Sequence, residues 1–345
     1  MRLSIQIVFV SLLLTSCSAD KTAQSVFDNY LNRLSNSLKV EIEEIEVEIT
    51  KAPDATLTSY PRKSSLVYEI PSVDINILQF LQLSKCELQR LVGHRNSSLG
   101  KLMTGYHALL YEHEFLILAE QCRTTLEPDD SLYDELTKAI EHKQQYQNQV
   151  RWNETFAGNE LRYLFSLGTE ALTPQQLSNN PTELIAALET LNNWLLEPSV
   201  NGSGLQQAYK VFETRKYIGE LRLTMAMTMS KLAQADALLN QRLTQKPLCY
   251  NQQANQQSKI VNNVFFKFYI GEVQPMLAQL HQQGKAVFGL IDELQKHMAT
   301  PVLFTEFWAE LYTAEDSEWQ DFNAAIAKHT KSWQDLFNQC GGLPR

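Results

Sequence analysis

Apolar residues recur along most of this chain at helical spacing. Phe27, Leu31, Leu34, Leu38, Ile42, Ile45 and Ile49 advance in steps of three and four, which keeps them on one helix face close to a heptad seam. The spacing predicts a helix over about 20–49, with Glu41, Glu43, Glu44, Glu46 and Glu48 as its solvated face. Pro53, Pro61 and Pro71 then stop helix, leaving room for one short extended piece at 66–70. A short apolar helix is predicted over 74–83. Next comes Ser84–Cys122, the densest mixture of polar and apolar residues in the chain. Ser84 and Glu87 have the spacing of a capping box. The helix they open is predicted to turn near Met103-Thr104-Gly105 into an antiparallel partner.

Further helices are predicted from Asp129-Asp130 toward Leu167, weak at Gly158, and from the starts Thr173-Pro174-Gln175-Gln176 and Asn180-Pro181-Thr182-Glu183. One very long helix is predicted from Leu205 to about Gln245, which holds no proline and only Gly219 as a glycine. Others are predicted over 258–283, kinked or restarted at Pro275, over 286–297, after Pro301, and over 317–338. The pattern as a whole predicts an all-α fold of long antiparallel helices in an irregular bundle, with at most one short β piece. Two lobes are expected, 60–170 and 175–345, behind a tether helix and linker at 17–59.

Composition agrees. Apolar residues make up 44% and charged residues 20%, with only 13 glycines, which suits globular helices rather than disorder or many-turned sheets. The net charge of −9 argues against a nucleic-acid-binding surface.

Residues 1–16 read as a signal peptide: Arg2 is followed by an apolar run from Ile5 to Leu14, too short to span a bilayer as a mature helix. The run ends in Leu14-Thr15-Ser16-Cys17, which resembles a bacterial lipobox. That resemblance implies acylation of Cys17 as the first residue of a mature chain of 345 − 16 = 329 residues. Ser18 resembles the outer-membrane-sorted class, so the expected place is the outer membrane, facing the periplasm. No later run of about 18 apolar residues exists, and the lipid is the expected membrane anchor.

Cys86, Cys122, Cys249 and Cys340 remain, an even number that suggests two disulfides in an oxidising compartment, with three pairings open. The predicted hairpin favours Cys86–Cys122 and leaves Cys249–Cys340. Zinc is the rival, but no CxxC or HExxH spacing occurs. On the hairpin, helical periodicity puts Arg95 among Leu88, Leu91, Leu99 and Leu102, where a guanidinium needs a carboxylate or a cage of carbonyls. His113 lies opposite Cys122 between Glu112 and Glu114. Arg95, Asn96, Lys101, His107, Glu112, His113 and Glu114 therefore form a candidate polar site, set against a plainer reading as structural pairs.

Familiar catalytic motifs fail. Gly93–Lys101 has six residues between its glycines and Leu102 after its lysine, which is not a phosphate loop. No GxSxG occurs, and Met225, Met227 and Met229 read as core. The lipobox, Tyr60-Pro61-Arg62, the Cys86 region, Arg95-Asn96-Ser97-Ser98-Leu99-Gly100-Lys101 and the Cys122 segment together resemble a family of uncharacterised Gram-negative lipoproteins, labelled only as a domain of unknown function. The resemblance implies a lipoprotein and supplies no activity. The expected role is binding or scaffolding in the envelope, with an envelope protein as partner and no cofactor. An enzyme or small-ligand binder using Arg95 and Glu112–Glu114 is the alternative, favoured by a deep pocket that holds both.

Overall fold

In the computed structural model, residues 21–42, 57–72 and 77–342 are described. The signal segment, Cys17 and the glutamate-rich stretch beyond Ile42 lie outside them. The α-helices are α1 Ala23–Leu38, α2 Lys63–Leu66, α3 Ile77–Gln82, α4 Leu88–Asn96, α5 Tyr106–Arg123, α6 Ser131–Gln145, α7 Gln147–Glu154 and α8 Asn159–Phe165. They continue as α9 Pro174–Ser178, α10 Thr182–Leu196, α11 Ser203–Phe212, α12 Tyr217–Gln245, α13 Gln256–Val264, α14 Gln274–Gln295, α15 Val302–Trp308 and α16 Glu318–Asn338. The protein is all-α, and the described residues contain only an isolated bridge, Tyr250 to Gln253, in place of any strand.

Helix starts follow their caps. Thr173 and Gln176 make the reciprocal capping box, and the Asp130 and Ser317 side chains accept from Leu132 and Gln320 N–H. Four expectations need correction. The helix at 20–49 ends at Leu38, where Lys39 takes the left-handed conformation and Ser35 Oγ donates to the Val40 carbonyl. The helix from Leu205 breaks over 213–216, and the one from Asp130 breaks at Tyr146 and again at 155–158. Ser84 sits in a 3-10 turn and Pro181 rather than Asn180 occupies the N-cap of α10, so neither makes the expected cap. Finally, 256–295 is continuous, because residues 265–273 widen into a π-helix before Pro275. Proline has no N–H to donate and its ring crowds the carbonyl four residues back, which the wider turn relieves.

Buried side chains fall into two clusters. The larger runs from Ala23 to Phe337 and takes residues from both sides of 170–175. Here α1 is no spacer: Phe27, Tyr30, Leu34 and Leu38 are fully buried against α12 and α13. A buried polar chain ties α1, α12 and α16. Tyr30 Oη meets His329 Nε2 at 2.8 Å, His329 Nδ1 meets Asp236 at 2.7 Å, and Trp333 Nε1–H donates to Tyr30 Oη at 2.9 Å. Each polar atom finds a partner, as burial demands. Cys249–Cys340 closes this cluster near the C-terminus.

The smaller cluster spans Leu83 to Ile140, on α4, α5 and α6, with Cys86–Cys122 at one end. Both pairings are those the hairpin geometry favours. No described helix is long and apolar enough to cross a membrane.

Candidate functional site

The smaller cluster is hollow. A cavity of about 500 Å3 lies between α4, α5, α6 and α7, with Ile70-Pro71-Ser72 along one side. From α4 come Leu88, Val92, Arg95 and Asn96, and from α5 Ala108, Tyr111, Glu112 and Phe115. α6 adds Leu132, Glu135, Leu136, Ala139, His142 and Lys143, while Tyr146 and α7 supply Val150, Asn153 and Glu154. Mostly apolar walls with a few convergent polar groups are the usual make-up of a small-molecule site, and the volume lies in that range.

The wall at Arg95 is shaped by a tight loop. α4 ends at Asn96, not near residue 103, because Ser97 Oγ donates to the His94 carbonyl at 2.7 Å and accepts from Gly100 N–H at 3.0 Å. This folds the chain back on the helix end. A Cβ on Gly100 would lie 2.0 Å from the His94 carbonyl oxygen, so only glycine fits. Leu99 and Leu102, expected on the apolar face, are instead 80% and 76% exposed. Arg95 Nη1 donates to the carbonyls of Gly100 at 2.6 Å and Met103 at 3.3 Å, and its guanidinium lies over the Tyr111 ring. That is the carbonyl cage an isolated guanidinium needs. No described carboxylate lies within 4.0 Å of it, and Nε and Nη2 make no hydrogen bond there.

Opposite Arg95, Lys143 pairs with Glu112 at 2.7 Å and its ammonium lies 4.7 Å from the Phe115 ring centre. The pair is only partly exposed, so its charges largely satisfy each other. His142 stacks on Tyr146, and its buried Nε2 has no hydrogen-bond partner among the described residues. Glu154 accepts from Gly105 N–H at 2.6 Å; burial pushes its carboxyl above the usual range, opposed by that bond and by Arg95. Burial, then the Glu112 charge, pushes the Tyr111 phenol up, keeping it a donor.

Three of the seven candidates therefore line the cavity: Arg95, Asn96 and Glu112. His113 turns to the far side of α5, against Trp194, where burial and then Arg151 hold its imidazole below the ordinary value. Glu114 points toward Arg90 at 3.9 Å. Lys101 and His107 are exposed, the latter against the Tyr106 ring. His142, Lys143, Asn153 and Glu154 also line the cavity and were not singled out from sequence; they sit on α6 and α7, whose approach is purely tertiary.

Residues 27–344 match one protein-family model, described as Protein of unknown function (DUF3080). The chain belongs to that family. No curated protein and no solved structure matches it. The match takes in the smaller buried cluster and all of the larger one but Ala23 and Val26, so the DUF3080 region contains the cavity, both disulfides and the Arg95 loop.

Proposed function

We propose that this DUF3080 chain is a cell-envelope protein, lipid-anchored through Cys17 and facing the periplasm from the outer membrane, whose cavity binds a small ligand. One observation carries the binding reading: a cavity of about 500 Å3 holds both Arg95 and Glu112, and Arg95 Nε and Nη2 make no hydrogen bond among the described residues. The signal-like N-terminus, the lipobox and two disulfides support the envelope placement. Scaffolding needs no such space, so binding is favoured over scaffolding.

Ala139 is buried on the cavity wall, and Ala139→Trp fills the space from within. Small molecules released from the purified wild-type chain and from this variant are compared by mass spectrometry. A molecule that accompanies the wild type and is missing from a folded variant supports the reading; identical extracts sink it. The anchor is tested separately by palmitate labelling, which Cys17→Ala should abolish.

A further inference from the structure

The cavity is polar at one end and apolar at the other, and this follows from how its walls run. α4 and α5 are antiparallel and joined by Cys86–Cys122, so Leu88 and the disulfide share one end. α6 runs back along α5, bringing Leu132 and Leu136 to that same end. Lys143 meets Glu112 and Glu154 meets Gly105 at the other end, where Arg95 is also held. Along α4 the lining changes from Leu88 and Val92 to Arg95 and Asn96 within two turns. Glu135, a carboxylate among the apolar residues, is already occupied by Lys138 at 3.0 Å.

At the polar end Arg95 is the cationic group with no ion pair among the described residues. Lys143 and Glu112 neutralise each other, and Glu154 accepts from Gly105 N–H. Among the described residues Arg95 hydrogen-bonds to carbonyl oxygens and lies over an aromatic face, with Nε and Nη2 making no hydrogen bond. A planar donor fork with an open side is suited to a carboxylate or phosphate oxygen pair. The apolar end gains by excluding water with a hydrocarbon chain.

Building on the small-ligand reading above, we propose that the cavity takes a single-chain amphipathic anion, its head on Arg95 and its aliphatic tail toward Cys86–Cys122. The test uses the full-length chain with Cys17→Ser, so that no attached acyl group competes. Dodecanoate, dodecanol and dodecyltrimethylammonium are titrated below their micelle concentrations by calorimetry. Dodecanoate is expected to bind at least about tenfold more tightly than either, the scale of one charge-assisted pair. Arg95→Gln should erase most of that preference while keeping dodecanol binding, and Ala139→Trp should remove all three. The head-group comparison on the unaltered site holds even if Arg95→Gln loosens its loop. Equal binding of the three probes overturns the anionic head but leaves a ligand cavity; binding of none overturns both.

Discussion

Arg95 shows how a single residue organises its surroundings. A guanidinium at a helix end draws in the Gly100 and Met103 carbonyls, and this works only because Gly100 lets the loop lie on the His94 carbonyl. Gly100→Ala should therefore lower stability in urea denaturation by about 1–3 kcal/mol, the scale of overpacking. Gly289→Ala, in a helix where nothing lies within 4 Å of the added carbon, should be neutral or stabilising by up to about 1 kcal/mol. Equal losses from the two would remove the loop's special status. Glu154 carries a pH signature. Its folded-state carboxyl titrates above its unfolded value, so the folded state binds the proton more tightly. The stability this contributes is fully present below the unfolded pKa and is lost as pH rises through the folded one. Glu154→Gln removes that loss while an amide oxygen still faces Gly105. Melting temperatures of variant and wild type should thus diverge in favour of the variant as pH rises from about 4 toward neutrality. A constant difference across that range would contradict it.

Elements were legible in the sequence where side chains themselves mark the boundary. Thr173, Asp130 and Ser317 start helices because each hydroxyl or carboxylate satisfies an orphan N–H. The break at 213–216 has no glycine or proline to announce it. The stop at Ser97 depends on a hydroxyl folding back onto its own helix, for which a continuing helix was an equally good local solution. The same limit applies to the cavity. Arg95 and Glu112 stood out because each was a charge in an apolar stretch, whereas Lys143 and Glu154 became partners only when α6 and α7 packed. Tertiary ties also hold the extended segment before Pro61. Arg222, fully buried on α12, donates to Glu318 of α16 through Nε at 2.8 Å and to the Thr58 carbonyl at 2.8 Å. Arg222→Met strands Glu318 and should cost about 3 kcal/mol in chemical denaturation. Arg222→Met with Glu318→Leu should recover much of that loss, because neither charge then remains buried. A double variant no more stable than the single one would show that the pair itself is worth its desolvation.

At the scale of the whole molecule, each buried cluster has its own disulfide. Cys86–Cys122 spans 36 residues and Cys249–Cys340 spans 91. Loop-closure entropy gives about 4 kcal/mol for the first and little more for the second, since the dependence on length is logarithmic. The consequences differ because the clusters differ. The larger core combines α1, α12 and α16 around the Tyr30–His329–Asp236 chain and has many buried aromatics. The smaller is a few apolar layers around a cavity, with fewer contacts to oppose chain entropy. A hollow core is the costlier one to keep closed, which gives the disulfide beside it a larger share of the work. Replacing Cys86 and Cys122 together by Ala should speed amide hydrogen exchange across 88–123, while α12 and α16 keep their protection. Dodecanoate affinity should fall with it, because the walls no longer hold their spacing. Replacing Cys249 and Cys340 should instead loosen the end of α16 and leave the cavity intact. If loss of Cys86–Cys122 accelerates exchange equally in α12 and α16, the two cores unfold as one unit, and the cavity draws its rigidity from the whole bundle.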